Sequence, residues 1–252
     1  MRVTLFRSLC AATLLAFASQ AGASTMVLVD EDFAYADGDL AANAAWNVHS
    51  GLGGSGGPLL VESEVAVIQH GVPDEDNNTS IGMQTSGQLT VAFDITVSDT
   101  DGIWDTGDDE YFLSLGASGL ATTLPGRVYL IAPTMSGDFS IGVRSSSGGS
   151  IVGVGSDFSF DTAISVELFY DIDTNTASLS VNGGPTAFGD VVGFDNNVVI
   201  DDVSLRQSDS ENNETIRLDN LLVTRVPEPG SVVLFLLGSA MAGAARMRRV
   251  LG

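Results

Sequence analysis

The stretch that decides the fold is Gln88–Ser98, with the sequence QLTVAFDITVS. Apolar side chains alternate along it with polar or small ones. The apolar set comprises Leu89, Val91, Phe93, Ile95 and Val97. A period of two is typical of a β-strand that is buried on one face and open to solvent on the other. The stretch therefore predicts a half-buried strand.

Two further stretches, 164–171 and 177–181, repeat this alternation. The segment between them, DIDTNT at 171–176, is polar. Asp and Asn favour turns because their side chains hydrogen-bond to the nearby backbone and tolerate left-handed conformations. The two strands are therefore expected to form a β-hairpin.

Strands are predicted throughout the rest of the body, and no stretch there has a capped apolar period of 3.6 residues. The predicted strands are 26–33, 59–69, 110–115, 127–132, 138–144, 198–207 and 215–224. Many short strands separated by Gly, Ser, Asn and Asp turns indicate an all-β fold, a two-sheet antiparallel sandwich. The 252 residues suffice for one such domain of about 200 residues with targeting segments at its ends.

The N-terminus, residues 1–23, has the three parts of a secretory signal peptide. Arg2 and Arg7 supply the positive charge, 9–18 the apolar helix, and Ala21 and Ala23 the small residues of the cleavage site. The sequence thus divides into a signal at 1–23, a body at 24–224 and a C-terminal segment at 225–252. The single cysteine, Cys10, lies in the signal, so we expect a mature protein without a thiol.

The charge of the body is strongly one-sided. The chain has no lysine, and five of its ten arginines lie at 24–225, in the body and the residue that follows it, against 31 carboxylates, which gives this stretch a net charge of −26. Such a surface repels phosphate backbones and argues against nucleic acid as a partner. It favours cations such as calcium, and it also suits high salt, where the mutual repulsion is screened.

The C-terminal segment combines a Pro227-Glu228-Pro229 turn, an apolar stretch at 232–245, and the basic cluster Arg246, Arg248 and Arg249. A 14-residue helix spans about 21 Å, against a hydrocarbon core of about 30 Å. The arginines would hold the C-terminus in the cytoplasm. We expect a short transmembrane sorting helix that anchors the chain transiently, with a permanent anchor as the alternative.

These three parts at the C-terminus, together with the signal peptide, resemble the PEP-CTERM sorting signal of exopolysaccharide-producing Gram-negative bacteria. The resemblance implies recognition by an exosortase, a membrane transpeptidase that cleaves near the Pro-Glu-Pro motif and transfers the protein onward. It implies a destination at the cell surface, in the outer envelope or in the extracellular matrix.

The ends of the body carry a second resemblance. The segment EDFAYADGDL at 31–40 with Trp46, the segment RLDNLLVT at 217–224, and the hairpin at 170–183 are similar to bacterial concanavalin A-like (laminin G-like) jelly-roll domains. The resemblance implies a two-sheet jelly roll whose first and last strands lie side by side. It implies no particular ligand, because this fold carries lectins, hydrolases and structural modules alike.

The densest group of acids could hold calcium, which takes six to eight oxygen ligands. The candidate ligands are Asp99, Asp101, Asp105, Asp108, Asp109 and Glu110. The alternative is a solvated loop of an acidic protein. Trp104 lies within the group and is a candidate for stacking on a sugar ring, as are Trp46, Tyr111 and Tyr129 if they are exposed. The smaller acidic stretch at 74–78 is predicted to be a turn.

Catalysis is not expected. Glycosidases need two carboxylates across the scissile bond, and jelly-roll hydrolases place them in a Glu-x-Asp-x-Glu strand, which this chain lacks. Glu62 and Glu64 would share one face of a strand, but without a third acid. His49 and His70 are far apart in sequence, and we expect both to be structural.

The predicted function is that of an exported, non-enzymatic surface or matrix protein, either structural or weakly binding polysaccharide. Calcium is a possible cofactor. The alternatives are a hydrolase or lyase acting on glycan with the same fold, and a structural surface protein without a specific ligand.

Overall fold

The computed structural model describes residues 24–51, 57–70, 75–99, 109–117, 124–146, 149–189, 198–207 and 214–226. The signal peptide with Ala21 and Ala23 lies outside the described residues. So do the Pro227-Glu228-Pro229 motif, the apolar stretch and the basic cluster at 246–249. Within the described residues, no helix has the length and apolar character needed to cross a membrane. Residues Val27–Arg225 form one compact unit.

The described residues form sixteen strands and one short 3-10 helix at Leu40–Ala42. The strands are β1 Met26–Glu31, β2 Gly38–Asp39, β3 Asn47–Ser50, β4 Leu60–Glu62, β5 Val65–Gln69, β6 Asp76–Gln84, β7 Gln88–Ser98, β8 Glu110–Ala117, β9 Arg127–Ile131, β10 Phe139–Arg144, β11 Val152–Phe158, β12 Ala163–Asp171, β13 Thr176–Val181, β14 Ala187–Phe188, β15 Ile200–Arg206 and β16 Thr215–Val226.

Two sheets contain these strands. Sheet A has the order β14-β13-β12-β7-β16-β5-β4-β2, with β1 also paired to β16, and sheet B has the order β11-β10-β9-β8-β15-β6-β3. The two-sheet antiparallel sandwich predicted from the sequence is confirmed. The first and last strands, β1 and β16, are neighbours, as the resemblance to jelly-roll domains implies.

The core lies between the two sheets, and β7 shows how the sequence builds it. Its five alternate apolar residues, from Leu89 to Val97, are all 2% exposed or less. Phe93 of sheet A meets Phe112 of sheet B edge to face, with ring centroids 6.0 Å apart. Aromatic pairs favour this arrangement because the positive ring edge faces the negative ring centre.

The opening segment is tied together by one buried carboxylate, that of Glu31. Its Oε1 accepts a hydrogen bond from the Phe33 backbone N–H at 2.8 Å, and its Oε2 accepts from the Tyr35 hydroxyl at 2.7 Å and from Trp46 Nε1 at 3.1 Å. Burial and the hydrogen bond to Glu31 raise the pKa of Tyr35 to about 12. Trp46 is 2% exposed and therefore belongs to the core, so it does not stack on a sugar.

The prediction of one strand over 59–69 is wrong, because β4 and β5 form a tight hairpin there. Ser63 and Glu64 occupy its turn with φ of 54° and 63°. Two positive φ values match a type I′ turn, whose twist suits the flanking strands. Glu64 thus lies in the turn and does not share a strand face with Glu62, which instead pairs with Arg217 at 2.9 Å.

The predicted turn at 74–78 is also wrong for its described part. Asp76, Asn77 and Asn78 open β6, which pairs with β15 and β3. Asp and Asn are poor strand formers, but the pairing on both sides overrides that preference. Asn77 is fully buried. Strand β11 was not predicted because its sequence, VGVGSDF, is rich in Gly and Ser.

Candidate ligand-binding surface

The outer face of sheet B carries a cluster of cationic and aromatic side chains, which we call the arginine–tyrosine patch. Its members are Tyr111 on β8, Arg127 and Tyr129 on β9, Arg144 on β10 and Arg206 on β15. Arg144 lies directly opposite Arg127, and Tyr111 directly opposite Tyr129. Residues paired in this way project from the same face of a sheet.

Strand alternation explains why the arginines face outward. On β9, Val128 and Leu130 are fully buried in the core, so Arg127 and Tyr129 point the other way. On β10 the buried Val143 leaves Arg144 on the outer face. On β15 the buried Leu205 likewise leaves Arg206 on the outer face. All three arginines therefore lie on one surface of sheet B.

Tyr111 reaches this surface because of a β-bulge. The register between β8 and β9 shifts between Tyr111 and Leu113, and the consecutive residues Phe112 and Leu113 are both fully buried. Without the extra residue, Tyr111 would share the core-facing side with Leu113. A bulge redirects side chains in this way, and bulges are frequent beside functional sites.

The side chains of the patch are in mutual contact. The ring centroids of Tyr111 and Tyr129 are 5.7 Å apart at an angle of 60°. The guanidinium carbons of Arg206 and Arg127 lie 4.3 Å and 4.7 Å from the Tyr111 centroid, and that of Arg144 lies 5.3 Å from the Tyr129 centroid. These distances are within the range of cation–π attraction.

Two carboxylates border the patch on one side. Arg206 Nη1 donates to Glu110 Oε2 at 2.6 Å, and the Ser50 hydroxyl donates to Asp76 Oδ2 at 2.6 Å. Burial raises the pKa of Asp76 although Ser50, Arg206 and His49 lower it. Burial alone would lower the pKa of Arg206, but Tyr111, Glu110 and Asp76 raise it above its ordinary value. Arg206 therefore stays charged.

The phenol of Tyr111 is a donor and not a base. Burial raises its pKa, against the opposing effect of Arg206 and Arg127. Since an unperturbed tyrosine titrates near pH 10, Tyr111 is protonated at neutral pH. Tyr129 is 3% exposed and packs beneath Arg144 and beside Tyr111. The arginines and Tyr111 are half-buried.

Of the predicted calcium ligands, the structure describes Asp99, which follows β7, Asp109, which precedes β8, and Glu110 on β8. Asp101, Trp104, Asp105 and Asp108 lie outside the described residues. The Glu110 carboxylate is engaged by Arg206. Among the described residues, no group of three or more metal-ligating side chains comes together. Calcium binding stays a prediction.

The histidines lie apart, on different sheets. His49 is on β3 of sheet B, and His70 follows β5 of sheet A. The His70 side chain is fully buried, with Nδ1 3.0 Å from Glu214 Oε1. This placement agrees with the structural role expected for His70.

The sequence analysis named Tyr111 and Tyr129 as candidates for sugar contact if exposed, and Tyr129 is buried; it did not identify the arginines of the patch. Arg127, Arg144 and Arg206 each adjoin an apolar residue on a predicted strand, so alternation would have placed them on solvent faces. Strand order, which brings them together, cannot be read from the spacing. The bulge that redirects Tyr111 shows in the sequence only as the consecutive apolar residues Phe112 and Leu113, which do not by themselves indicate a bulge.

Comparison with known proteins supports both the tail and the fold. Residues 225–249 match the PEP-CTERM protein-sorting motif, which implies exosortase-dependent export of a protein with a C-terminal sorting signal. No curated protein matches the chain.

Among solved structures, the body is similar to the CBM2 module of Lactobacillus casei BL23 phage J-1 evolved Dit, with a TM-score of 0.52 and 9% identity over 80% of this chain and 96% of that chain. The basic winged bean lectin with Tn-antigen has a TM-score of 0.47 and 12% identity over 80% and 98%. A sialidase has a TM-score of 0.47 and 14% identity over 77% of this chain, which spans only 18% of the sialidase. Identities this low describe the fold alone.

Proposed function

We propose that the body is a non-catalytic polysaccharide-binding domain, delivered by exosortase processing to the cell surface or the exopolysaccharide matrix. The arginine–tyrosine patch is the observation that carries this proposal. It places three guanidinium groups and one half-buried phenol on a single outer face of sheet B.

The patch offers the two kinds of contact that a sugar needs. The half-buried Tyr111 ring provides an apolar surface, and each guanidinium carries five N–H donors for hydroxyl or carboxylate oxygens. Tyr129 is buried and the side chain of Arg206 is only 26% exposed. A sugar can therefore contact only the outer edge of the patch, and its binding surface is shallow. A shallow surface favours weak binding to each sugar and stronger binding to a repeating chain through multivalency.

The environment of the nearest acids favours binding over catalysis. Glu110 is held by Arg206, and Asp76 by the Ser50 hydroxyl. The raised pKa of Tyr111 keeps its phenol protonated, whereas a general base must accept a proton near neutral pH. The alternatives are a glycan hydrolase or lyase and a purely structural protein.

Affinity electrophoresis tests the proposal. The purified protein is run through gels containing the exopolysaccharide of its own host, with Arg127→Gln/Arg144→Gln as the patch variant. Arg217→Gln, on the outer face of sheet A, is the matched control. We expect retardation of the wild type and the control and loss of retardation in the patch variant.

Equal retardation of wild type and patch variant, each measured against its own mobility in a gel without polysaccharide, would remove the proposal. In parallel, the polysaccharide is incubated with the protein and assayed for new chain ends. We expect none. Chain ends that accumulate with time and protein concentration would establish the enzymatic alternative.

A further inference from the structure

We infer that the arginine–tyrosine patch selects acidic polysaccharides, those that carry carboxylate or sulfate groups along the chain. This inference rests on the proposed function and adds the chemical class of its ligand. It is carried by the placement of Arg127 and Arg144.

The distribution of charge on the body is the first observation. Residues 24–225 contain only five arginines against 31 carboxylates, yet three of the five lie in the patch. Glu110 and Asp76 border it on the side of Arg206. Fields of exposed charges decay over about 8 Å at physiological salt, so distant carboxylates are screened from the patch. Near Arg127 and Arg144, away from these two carboxylates, the local potential is therefore dominated by the arginines.

The second observation is a pair of like charges that takes part in no ion pair between the described residues. Arg127 and Arg144 lie directly opposite each other on adjacent strands. The ion pairs between described residues involve neither of them. Like charges in this position oppose sheet formation. Their electrostatic cost is removed when an anion binds between them, and a neutral sugar cannot supply that compensation.

Both guanidinium groups are held in place before any ligand arrives. Arg127 Nε donates to the Leu124 carbonyl at 3.2 Å, and its guanidinium carbon lies near the Tyr111 ring. Arg144 rests on the ring of Tyr129. Arginines oriented in this way bind planar anions in a forked geometry and lose less side-chain entropy than mobile lysines.

The cations are arranged in a row across the sheet. Arg144, Arg127 and Arg206 lie on β10, β9 and β15, and β8 separates the last two. Three interstrand spacings of about 4.8 Å place the ends of the row about 14 Å apart. A row of this length suits a polymer with repeated charges better than a single small anion.

The inference is tested with matched polymers. The purified protein is titrated on a biosensor with polygalacturonate, with the same polymer after methyl esterification of its carboxyl groups, with dextran sulfate and with dextran. We expect binding to polygalacturonate, to dextran sulfate, or to both, and at least tenfold weaker binding to the methyl ester and to dextran. The two charged polymers distinguish carboxylate from sulfate as the group recognised.

The variants locate the effect. Arg127→Gln/Arg144→Gln should weaken binding of the charged polymer at least tenfold, whereas Arg217→Gln should leave it unchanged. Because the double variant removes a repulsion, its melting temperature should equal or exceed that of the wild type. If the double variant melts at a lower temperature than wild type, Arg144→Lys is measured as well. Lysine keeps the positive charge but lacks the paired N–H donors of the guanidinium. This variant should bind more weakly than wild type but more tightly than Arg144→Gln.

The possible failures separate the two proposals. Equal binding to polygalacturonate and its methyl ester, or binding to dextran alone, would overturn the selection of acidic chains and leave polysaccharide binding intact. Unchanged binding by the double variant would overturn the patch as the site. Binding to none of these polymers, nor to the host exopolysaccharide, would overturn the proposed function itself.

Discussion

The outer faces of sheets A and B are both polar but differ in how their polar groups are paired. On sheet A, the Ser165 hydroxyl and Asn220 Nδ2 donate to Asp94 at 2.5 Å and 3.0 Å, and Arg217 pairs with Glu62 at 2.9 Å. On sheet B, Arg127 and Arg144 lie directly opposite each other. Neither takes part in an ion pair between the described residues.

The difference shows that a depression in the surface is not sufficient evidence for a ligand site. Two shallow cavities of about 440 Å³ and 600 Å³ lie on the outer face of sheet A, and both are lined by Asp94, Ser165 and Asn220. Ser165 and Asn220 already donate to Asp94 there, so a ligand that binds these groups would have to displace existing hydrogen bonds. On sheet B a ligand would instead neutralise charge.

The largest expected effect comes from a core residue at the bulge of β8, compared with a residue on the outer face of sheet A. Phe112→Ala should destabilise the protein by about 3–5 kcal/mol, since a fully buried aromatic ring leaves a cavity. Ser165→Ala on the outer face of sheet A removes one exposed hydrogen bond to Asp94 and should cost only about 1 kcal/mol. Urea denaturation followed by circular dichroism measures both. Similar losses for the two variants would contradict the assignment of inner and outer faces.

A smaller effect is expected from calcium at the acidic segment 99–110, which connects β7 of sheet A to β8 of sheet B along the chain. Saturation to a hundred times Kd should stabilise the protein by about 2.7 kcal/mol. Asp101→Asn/Asp105→Asn should abolish the resulting rise in Tm. Glu110→Gln should reduce the rise less, because the Glu110 carboxylate is held by Arg206. Unchanged melting in millimolar calcium would rule out the site.

The smallest effect concerns pH and Asp202, on the outer face of sheet B. Burial raises its pKa, although the hydrogen bond from Ser204 lowers it. A carboxyl whose folded-state pKa is raised contributes stability below its unfolded pKa of about 3.9 and loses that contribution as pH rises through the folded value. Asp202→Asn should therefore be slightly more stable than wild type at pH 7.

The difference between the Tm of Asp202→Asn and that of wild type should shrink as the pH falls toward 4. Thermal melts across this range measure it. Asp94→Asn on sheet A is the comparison variant, and it keeps only one of the two oxygens that accept from Ser165 and Asn220. A gain for Asp202→Asn that is equal at pH 4 and pH 7 would exclude titration of Asp202 as its cause.

Local patterns in the sequence predicted most of the fold. The alternation in Gln88–Ser98 gave β7 with its correct bounds, and the polar segment at 171–176 gave the turn between β12 and β13. The errors occurred where tertiary pairing overrides local preference. The Asn-rich start of β6 is a strand because β15 and β3 pair with it. The turn at Ser63 and Glu64 has no glycine or asparagine to mark it.

The candidate site was less predictable than the fold. The carboxylates of the acidic segment lie close together in the sequence, so the sequence predicts a site there. The arginines of the patch are separated by 17 to 79 positions, so no local pattern predicts theirs. Sheet order and one β-bulge bring them together, and both depend on long-range pairing. The acids and Trp104 remain predictions for calcium and sugar contact, since most of them lie outside the described residues.

The central claim is that polysaccharide binds at the arginine–tyrosine patch, and arginine side-chain NMR tests it most directly. Residues 24–225 contain only five arginines, so each Nε–H signal can be assigned by single substitution. Addition of polygalacturonate oligomers should shift the signals of Arg127, Arg144 and Arg206 and leave those of Arg217 and Arg225 in place. Shifts confined to Arg217 and Arg225, or binding without a shift in any patch arginine, would contradict the claim.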